Sequence, residues 1–190
     1  SMIAISEQIL KIHKDNKRAL AFAADAYAEK KMEDKQIEAL THTCFQVTPY
    51  ENYVALAERL NALAPGPTPK KTIFFSTGAE EVENALKIAR YHTRRSALIA
   101  FGGAFHGRTL ATMTLTGKVQ PYKAGFGPML PDVFHVPYPI AYHGITPEES
   151  LAALDRLFKA DVDPERVAAL IIEPVQGEGG FYAAAPQFLQ

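Results

Sequence analysis

The segment that first suggests chemistry is a glycine turn between a strand-like run and a helix-like run. Residues 74–80 read FFSTGAE. Such a turn presents free backbone N–H groups at the positive end of a helix, which is a ready site for a phosphate group. Turns of this kind also occur as plain connections between a strand and a helix. On these residues alone, both interpretations stay open.

A second segment places an aromatic side chain among small residues. Residues 101–109 read FGGAFHGRT. The small neighbours let a planar ligand come close to the backbone, and Phe105 could stack on its ring. The alternative makes Phe105 an ordinary core residue and His106 a loop histidine with satisfied hydrogen bonds.

A third segment carries carboxylates after an apolar run, and residues 171–182 read IIEPVQGEGGFY. Glu173 follows a predicted buried strand, and open α/β sheets bind ligands at the carboxyl ends of their strands. The pair Glu173 and Glu178 could suggest glycoside hydrolysis, but no other feature supports it. His42 and Cys44 could be imagined as metal ligands, but these residues are too few for a zinc site. We therefore predict no metal site.

The elements that must position these segments alternate between helix and strand. Apolar residues at helical spacing predict helices over residues 51–63, 80–91 and 147–159. Short apolar runs predict strands over residues 71–76, 97–101, 133–136 and 167–172. The last of these runs is apolar throughout, which is typical of a buried parallel strand. The alternation favours an α/β fold, with a mostly parallel sheet flanked by helices.

The beginning of the chain differs from the rest in composition. Residues 3–40 contain no Pro or Gly and are rich in helix-forming Ala, Lys, Glu and Leu. We predict one or two amphipathic helices there. Prolines and glycines punctuate the chain from Thr41 onward. We therefore divide the chain into a helical N-terminal segment, residues 1–40, and an α/β part, residues 41–190.

The composition excludes several classes of protein. Of the 190 residues, 47% are apolar and 22% charged, with a formal net charge of −1. This balance gives no electrostatic case for nucleic acid or for an anionic membrane. No apolar stretch approaches the ~20 residues of a membrane helix, and no signal peptide is expected. Cys44 is the single cysteine, so no internal disulfide can form. We expect a cytoplasmic protein.

Five segments together resemble the class III aminotransferases, which depend on pyridoxal phosphate, and specifically their 4-aminobutyrate type. Three are the phosphate-turn signature, the ring-stacking loop and the glutamate segment. They lie at residues 77–90, 101–109 and 171–182. Two more, residues 41–47 and 115–128, are similar to the bacterial 4-aminobutyrate branch. The chain from about residue 41 to residue 190 thus resembles part of the large domain of a fold type I transferase.

The resemblance implies pyridoxal 5'-phosphate as the cofactor. Gly78 and Ala79 would hold its phosphate through their backbone amides. Phe105 would cover one face of the pyridine ring, and His106 would belong to the wall of the site.

The resemblance also implies a substrate-binding set. Arg108 would bind the substrate carboxylate, because a planar guanidinium matches a carboxylate in a bidentate fashion. The alternative for Arg108 is a surface ion pair. Glu173 would lie near the cofactor ring and the substrate. Glu178 would pair with an arginine that has no match in this sequence.

Several family elements have no match in the sequence. These are the lysine that forms the Schiff base, the acidic residue that pairs with the pyridine nitrogen, and a threonine donated across the dimer. Lys118 and Lys123 belong to another matched segment and are rejected as substitutes. We therefore assign no catalytic residue and expect neither covalent cofactor attachment nor turnover.

Three interpretations of function follow. The leading one is a fragment of an aminotransferase that moves an amino group from an ω-amino acid, such as 4-aminobutyrate, to a 2-oxo acid. It would act as a homo-oligomer, a dimer or larger. The second is a non-catalytic α/β module that keeps a phosphate-binding turn or an oligomer interface. The third keeps the family but takes ornithine, acetylornithine or another ω-amine as substrate.

Overall fold

The computed structural model describes residues 51–190, together with residues 24, 25 and 35. Those three single positions are helical. Otherwise the predicted N-terminal helices lie outside the described residues, as do His42 and Cys44. The chain divides into two compact units, Ser1–Ile73 and Phe74–Gln190.

Residues 51–73 of the first unit contain one helix. Helix α1 spans Glu51–Leu63, the bounds that the sequence predicted. The chain after the helix folds back onto it, because the Thr72 hydroxyl donates a hydrogen bond of 2.8 Å to the Asn61 side chain.

The predicted strand over residues 71–76 is wrong. Residues 71–75 carry no regular element. An apolar run becomes a strand only when a neighbouring strand completes a hydrogen-bonded ladder. The three-stranded sheet of the described residues is built from other segments and offers no such neighbour.

The second unit is built around three parallel strands. They are β1 (Ala97–Phe101), β2 (Val133–Val136) and β3 (Val167–Leu170), in the order β2-β1-β3. The sequence predicted β1 and β2 with these bounds and predicted the parallel sheet. It expected β3 to be longer and fully buried, but Leu170 is 48% exposed. The difference arises because β3 lies at an edge of this sheet.

Helices flank the sheet. They are α2 (Gly78–Thr93), α3 (Leu110–Leu115) and α4 (Pro147–Ala160). Helices α2 and α4 run slightly beyond their predicted bounds. At each N-terminus a capping box satisfies backbone N–H groups, through Thr77 with Glu80 and Thr146 with Glu149. Helix α3 was not predicted, because six residues are too few to show a helical period.

Short elements complete the unit. Strands β4 (Val175–Gln176) and β5 (Tyr182–Ala183) form an antiparallel pair. Short 3₁₀ helices lie at Ala141–His143, Pro164–Arg166 and Pro186–Leu189. Across the described residues, no helix has the length and apolar character needed to cross a membrane.

Strand β1 forms the middle of the core. All five of its residues are buried. Alternate side chains point to opposite faces of a strand, and so Ile99 packs in a cluster with Val136 and Leu157. On the other face, Leu98 packs in a cluster with Leu86 of α2.

Replacing Ile99 by Ala should therefore be costly. Ile99 is 0% exposed, and its truncation leaves a cavity in a covered strand. We expect a loss of about 2–5 kcal/mol in the free energy of unfolding, measured by urea titration. The matched control is Ile88→Ala, because Ile88 is 60% exposed on α2. A similar loss in both variants would contradict the central position of β1.

Candidate functional site

The N-terminus of α2 leaves backbone amides free for a ligand. Glu80 accepts hydrogen bonds from the backbone N–H groups of Ser76 and Thr77, at 2.9 and 3.1 Å. The Thr77 hydroxyl accepts one from the N–H of Glu80 at 3.2 Å. Within the described residues, the N–H groups of Gly78 and Ala79 have no acceptor. The capping box thus occupies the neighbouring N–H groups and leaves free the two amides for which the sequence predicted phosphate binding.

A close contact holds the ring-stacking loop against this turn. Gly107 has a φ of +133°, and a Cβ added there would lie 2.6 Å from the Thr112 hydroxyl and 2.9 Å from the Ala79 Cβ. Only glycine fits such an approach with this backbone. By contrast, a Cβ at Gly78 would meet nothing within 4 Å, so the space in front of the turn is open.

The turn and the loop together line a cleft of about 600 Å³. This volume is in the usual range of small-molecule sites. The cleft brings together most of the predicted site residues, namely Gly78, Ala79, Phe105, His106 and Arg108.

His106 contributes a buried imidazole to this cleft. The residue is only 8% exposed, and its backbone N–H donates to the Thr116 hydroxyl at 3.1 Å. Its Nε2 is buried and has no hydrogen-bond partner among the described residues, so these residues do not make His106 the satisfied loop histidine of the alternative interpretation. Burial lowers the pKa of His106, although the Glu173 carboxylate opposes the shift. The ring is therefore neutral at pH 7.

Glu173 lies behind the loop rather than in the lining of the cleft. One carboxylate oxygen accepts the backbone N–H of Phe105 at 2.7 Å, and the other accepts that of Gly177 at 3.3 Å. The carboxylate thus fixes the backbone that carries Phe105. A direct role beside the substrate stays a prediction.

Arg108 stands between two clefts. It also lines a neighbouring cleft of about 550 Å³ with the apolar side chains of Leu110, Met113 and Phe126. Its Cζ lies 5.9 Å from the ring centroid of Phe105 and 6.0 Å from that of Tyr122. Among the described residues Arg108 forms no ion pair, so the alternative of a surface ion pair finds no support there.

Glu178 is held by groups that the sequence interpretation did not assign to the site. Its carboxylate accepts a hydrogen bond of 2.5 Å from the Tyr122 hydroxyl and lies 3.7 Å from the Lys118 ammonium. Lys118 also donates to the backbone carbonyl of Glu178 at 2.6 Å. The Tyr122 ring lies 4.9 Å from that of Phe105. Tyr122 therefore links the ring-stacking loop to Glu178.

Further positioning residues were also missed. Gln176 is 0% exposed and donates to the Gly102 carbonyl at 2.9 Å, which ties β4 to the loop after β1. The Tyr138 hydroxyl donates to the Glu173 carbonyl at 3.0 Å. Gly117 packs so closely that an added Cβ would lie 2.3 Å from the backbone N of Gly103. The glycines in the matched segments were a usable signal for such packing, whereas no sequence pattern pointed to Tyr138.

Comparison with known proteins identifies the family. The family model for class III aminotransferases matches residues 30–190. The chain belongs to this family. Over 157 residues it is 54% identical to the 4-aminobutyrate aminotransferase GabT of Escherichia coli, which covers 83% of this chain and 37% of that protein. Over 156 residues it is 51% identical to the 5-aminovalerate aminotransferase DavT of Pseudomonas aeruginosa, covering 82% of this chain and 37% of that protein.

A comparison with solved structures supports the same family. An (S)-enantioselective omega-transaminase from Thermomicrobium roseum superimposes with a TM-score of 0.62 at 35% identity, over 70% of this chain and 32% of that one. The chain thus spans about 37% of the length of the curated relatives named above. The predicted family and its fold class, the α/β large domain of fold type I transferases, are confirmed. Pyridoxal phosphate is the cofactor of this family.

The Tyr122–Glu178 hydrogen bond predicts an unusual titration. The hydrogen bond to Glu178 stabilises the protonated phenol, and a phenolate beside a carboxylate is unfavourable, so the pKa of Tyr122 is raised above its ordinary value of 10.0. We expect the phenol to ionise at higher pH than an ordinary tyrosine side chain. The difference between the ultraviolet titrations of the wild type and Tyr122→Phe isolates its curve. Glu178→Gln should lower the midpoint, and a midpoint unmoved by Glu178→Gln would contradict the contact.

Proposed function

We propose that this chain is the cofactor-binding part of an aminotransferase that takes an ω-amino acid as amino donor and a 2-oxo acid as acceptor. The observation that carries the proposal is the cleft in which the free amides of Gly78 and Ala79 meet Phe105, His106 and Arg108. Two N–H donors for a phosphate, a ring surface and a guanidinium are thus combined in one cavity.

The residues of the cleft fit pyridoxal phosphate. Unpaired amides at a helix N-terminus suit the phosphate, and Gly78 leaves the approach open. The orphaned Nε2 of His106 is a buried polar atom for which a bound ligand is a natural partner. When bound, pyridoxal phosphate supplies the electron sink that amino-group transfer requires.

Each residue then has a distinct task. Gly78 and Ala79 bind the phosphate, and the Phe105 side chain covers the ring. Glu173 positions Phe105 through its backbone N–H. Arg108 binds the substrate carboxylate, and its apolar neighbours in the second cleft exclude water from the aliphatic chain of the donor.

Two observations support an ω-amino acid as the amino donor, namely the position of Arg108 and the names of the relatives. A carboxylate-binding arginine beside an apolar cleft suits a straight ω-amino acid. The names of the relatives include 4-aminobutyrate and 5-aminovalerate, which differ by one methylene. We propose 4-aminobutyrate as the donor, with a longer ω-amino acid as the second candidate. We further propose a cytoplasmic homo-oligomer, supported by the single cysteine and the family membership.

The role of the turn can be tested at Gly78. Proline suits the first position of a helix and an extended preceding residue, and Thr77 has φ −144° and ψ 153°. Gly78→Pro therefore removes one N–H while keeping the helix. Because a hydrogen bond to a charged group contributes about 1.5–3 kcal/mol, we expect the affinity for pyridoxal phosphate to fall about 10- to 100-fold in an absorbance titration.

The matched control is Gly78→Ala, which keeps the N–H and adds a Cβ in open space. It should bind like the wild type. Equal affinities in the proline and alanine variants would exclude the turn as the phosphate site.

Covalent attachment gives a separate readout. None of the lysines in the described residues lines the cleft. We therefore expect borohydride treatment of the chain with pyridoxal phosphate to add no stoichiometric mass in mass spectrometry. A single modified lysine would contradict the absence of a lysine from the described site.

A further inference from the structure

A third cleft, which is charged, lies at the other end of the sheet from the cleft lined by Gly78, Ala79 and Phe105, which we call the cofactor cleft. It has a volume of about 790 Å³, and Ser96, Asp132 and Arg166 line it. These residues directly precede β1, β2 and β3, so the cleft opens at the amino ends of the strands. We call it the arginine cleft, because its lining residues include Arg90, Arg94, Arg95 and Arg166.

Carboxylates within the described residues neutralise only part of this positive charge. Arg95 pairs with Glu165 at 2.8 Å, and Arg166 pairs with Asp132 at 2.9 Å. A hydrogen bond from the Ser96 hydroxyl and then the pairing with Arg166 lower the pKa of Asp132, so this carboxylate is ionised at pH 7. The lining carries four guanidinium groups and two carboxylates, which leaves an excess of two positive charges.

Arg90 and Arg94 form no ion pair within the described residues, although the charge of Arg90 also helps to lower the pKa of Asp132. Arg90 uses its Nε to donate to the Ser96 carbonyl at 2.9 Å, and the described hydrogen bonds leave its terminal nitrogens free. Arg94 has no carboxylate partner in the described part of the chain, and its Cζ stacks 4.2 Å from the ring centroid of Tyr91. Both side chains are thus positioned by neutral groups while most of their N–H donors remain available.

Helix-end electrostatics does not account for the whole cluster. Basic residues near the C-terminus of α2 interact well with its dipole, which explains one or two arginines there. Arg166 comes from a different segment before β3, and the cleft in front of the cluster has room for a ligand. Arg94 also ends the helix with a φ of 59°, a conformation in which glycine or asparagine is more usual.

We propose that the arginine cleft binds a phosphate dianion, free or carried by a small phosphate ester. Guanidinium forks match the oxygens of phosphate in bidentate geometry, and two unpaired guanidinium groups balance a dianion. The site is separate from the turn at Gly78 and belongs to no step of the proposed transamination.

The test is a ¹H–¹⁵N NMR titration of the chain with inorganic phosphate at low ionic strength. Assigned amides separate the two places where phosphate can bind. We expect saturable shifts at Arg94, Ser96 and Asp132, independent of those at Gly78 and Ala79. Shifts confined to Gly78 and Ala79, or shifts at Arg94 that never saturate, would overturn the proposal.

Substitutions of the two arginines give a second test of the site. Arg94→Asn removes a guanidinium and suits the left-handed conformation, and Arg90→Gln removes the other unpaired charge. Each should weaken phosphate binding at the arginine cleft about tenfold, as expected for losing one charge-assisted contact. Neither should alter the shifts at Gly78.

The control is Arg156→Gln, an exposed position on α4 outside the cleft. It should leave the affinity unchanged. An equal loss of affinity in Arg156→Gln would show that only the overall charge matters and would overturn the site. An unchanged affinity in Arg90→Gln would also overturn it. Titration with phenyl phosphate then distinguishes an ester ligand, which should bind at least as well, from a site closed to all but the free ion.

Discussion

Parallel pairing of β1 with both of its neighbours is the constraint on which the rest of the second unit depends. Because the three strands run in one direction, their carboxyl ends meet at one edge and their amino ends at the other. The loop with Phe105 follows β1, and Glu173 follows β3, so the backbone of one reaches the carboxylate of the other at 2.7 Å. The cofactor cleft and the arginine cleft lie at opposite ends of the sheet for the same reason.

Steric fit then decides how the cofactor cleft is assembled. The Gly107 backbone approaches Ala79 and Thr112 at distances that no side chain at position 107 would allow. This contact places the loop over the free amides of α2. A similar approach of Gly117 to Gly103 holds the segment that carries Tyr122 near the same loop. Small residues are therefore as important to the site as the groups that would touch a ligand.

Electrostatics distinguishes the arginines of the second unit. Arg95 and Arg166 have carboxylate partners, and their charges are largely compensated within the protein. Arg108 lies beside the rings of Phe105 and Tyr122 without such a partner in the described residues. An arginine held by rings retains its hydrogen-bond donors for an incoming anion. Arg94, which stacks on Tyr91, and Arg90, which donates to the Ser96 carbonyl, likewise have no ion-pair partner in the described residues, unlike Arg95 and Arg166 in the arginine cleft.

The sequence by itself determined the family, the α/β class and the bounds of α1, β1 and β2, because these depend on local motifs and on apolar periodicity. It also predicted site roles for Gly78, Phe105 and Arg108, which occur in short contiguous motifs and line one cleft in the structure. The tertiary structure decided what depends on partners distant in the chain. It left residues 71–75 outside the sheet, shortened β3 at an edge and brought Tyr122 to Glu178, 56 residues away. It also gathered arginines from separate segments into one cleft, which no local pattern encodes, because the charge balance there arises only when three strand beginnings meet.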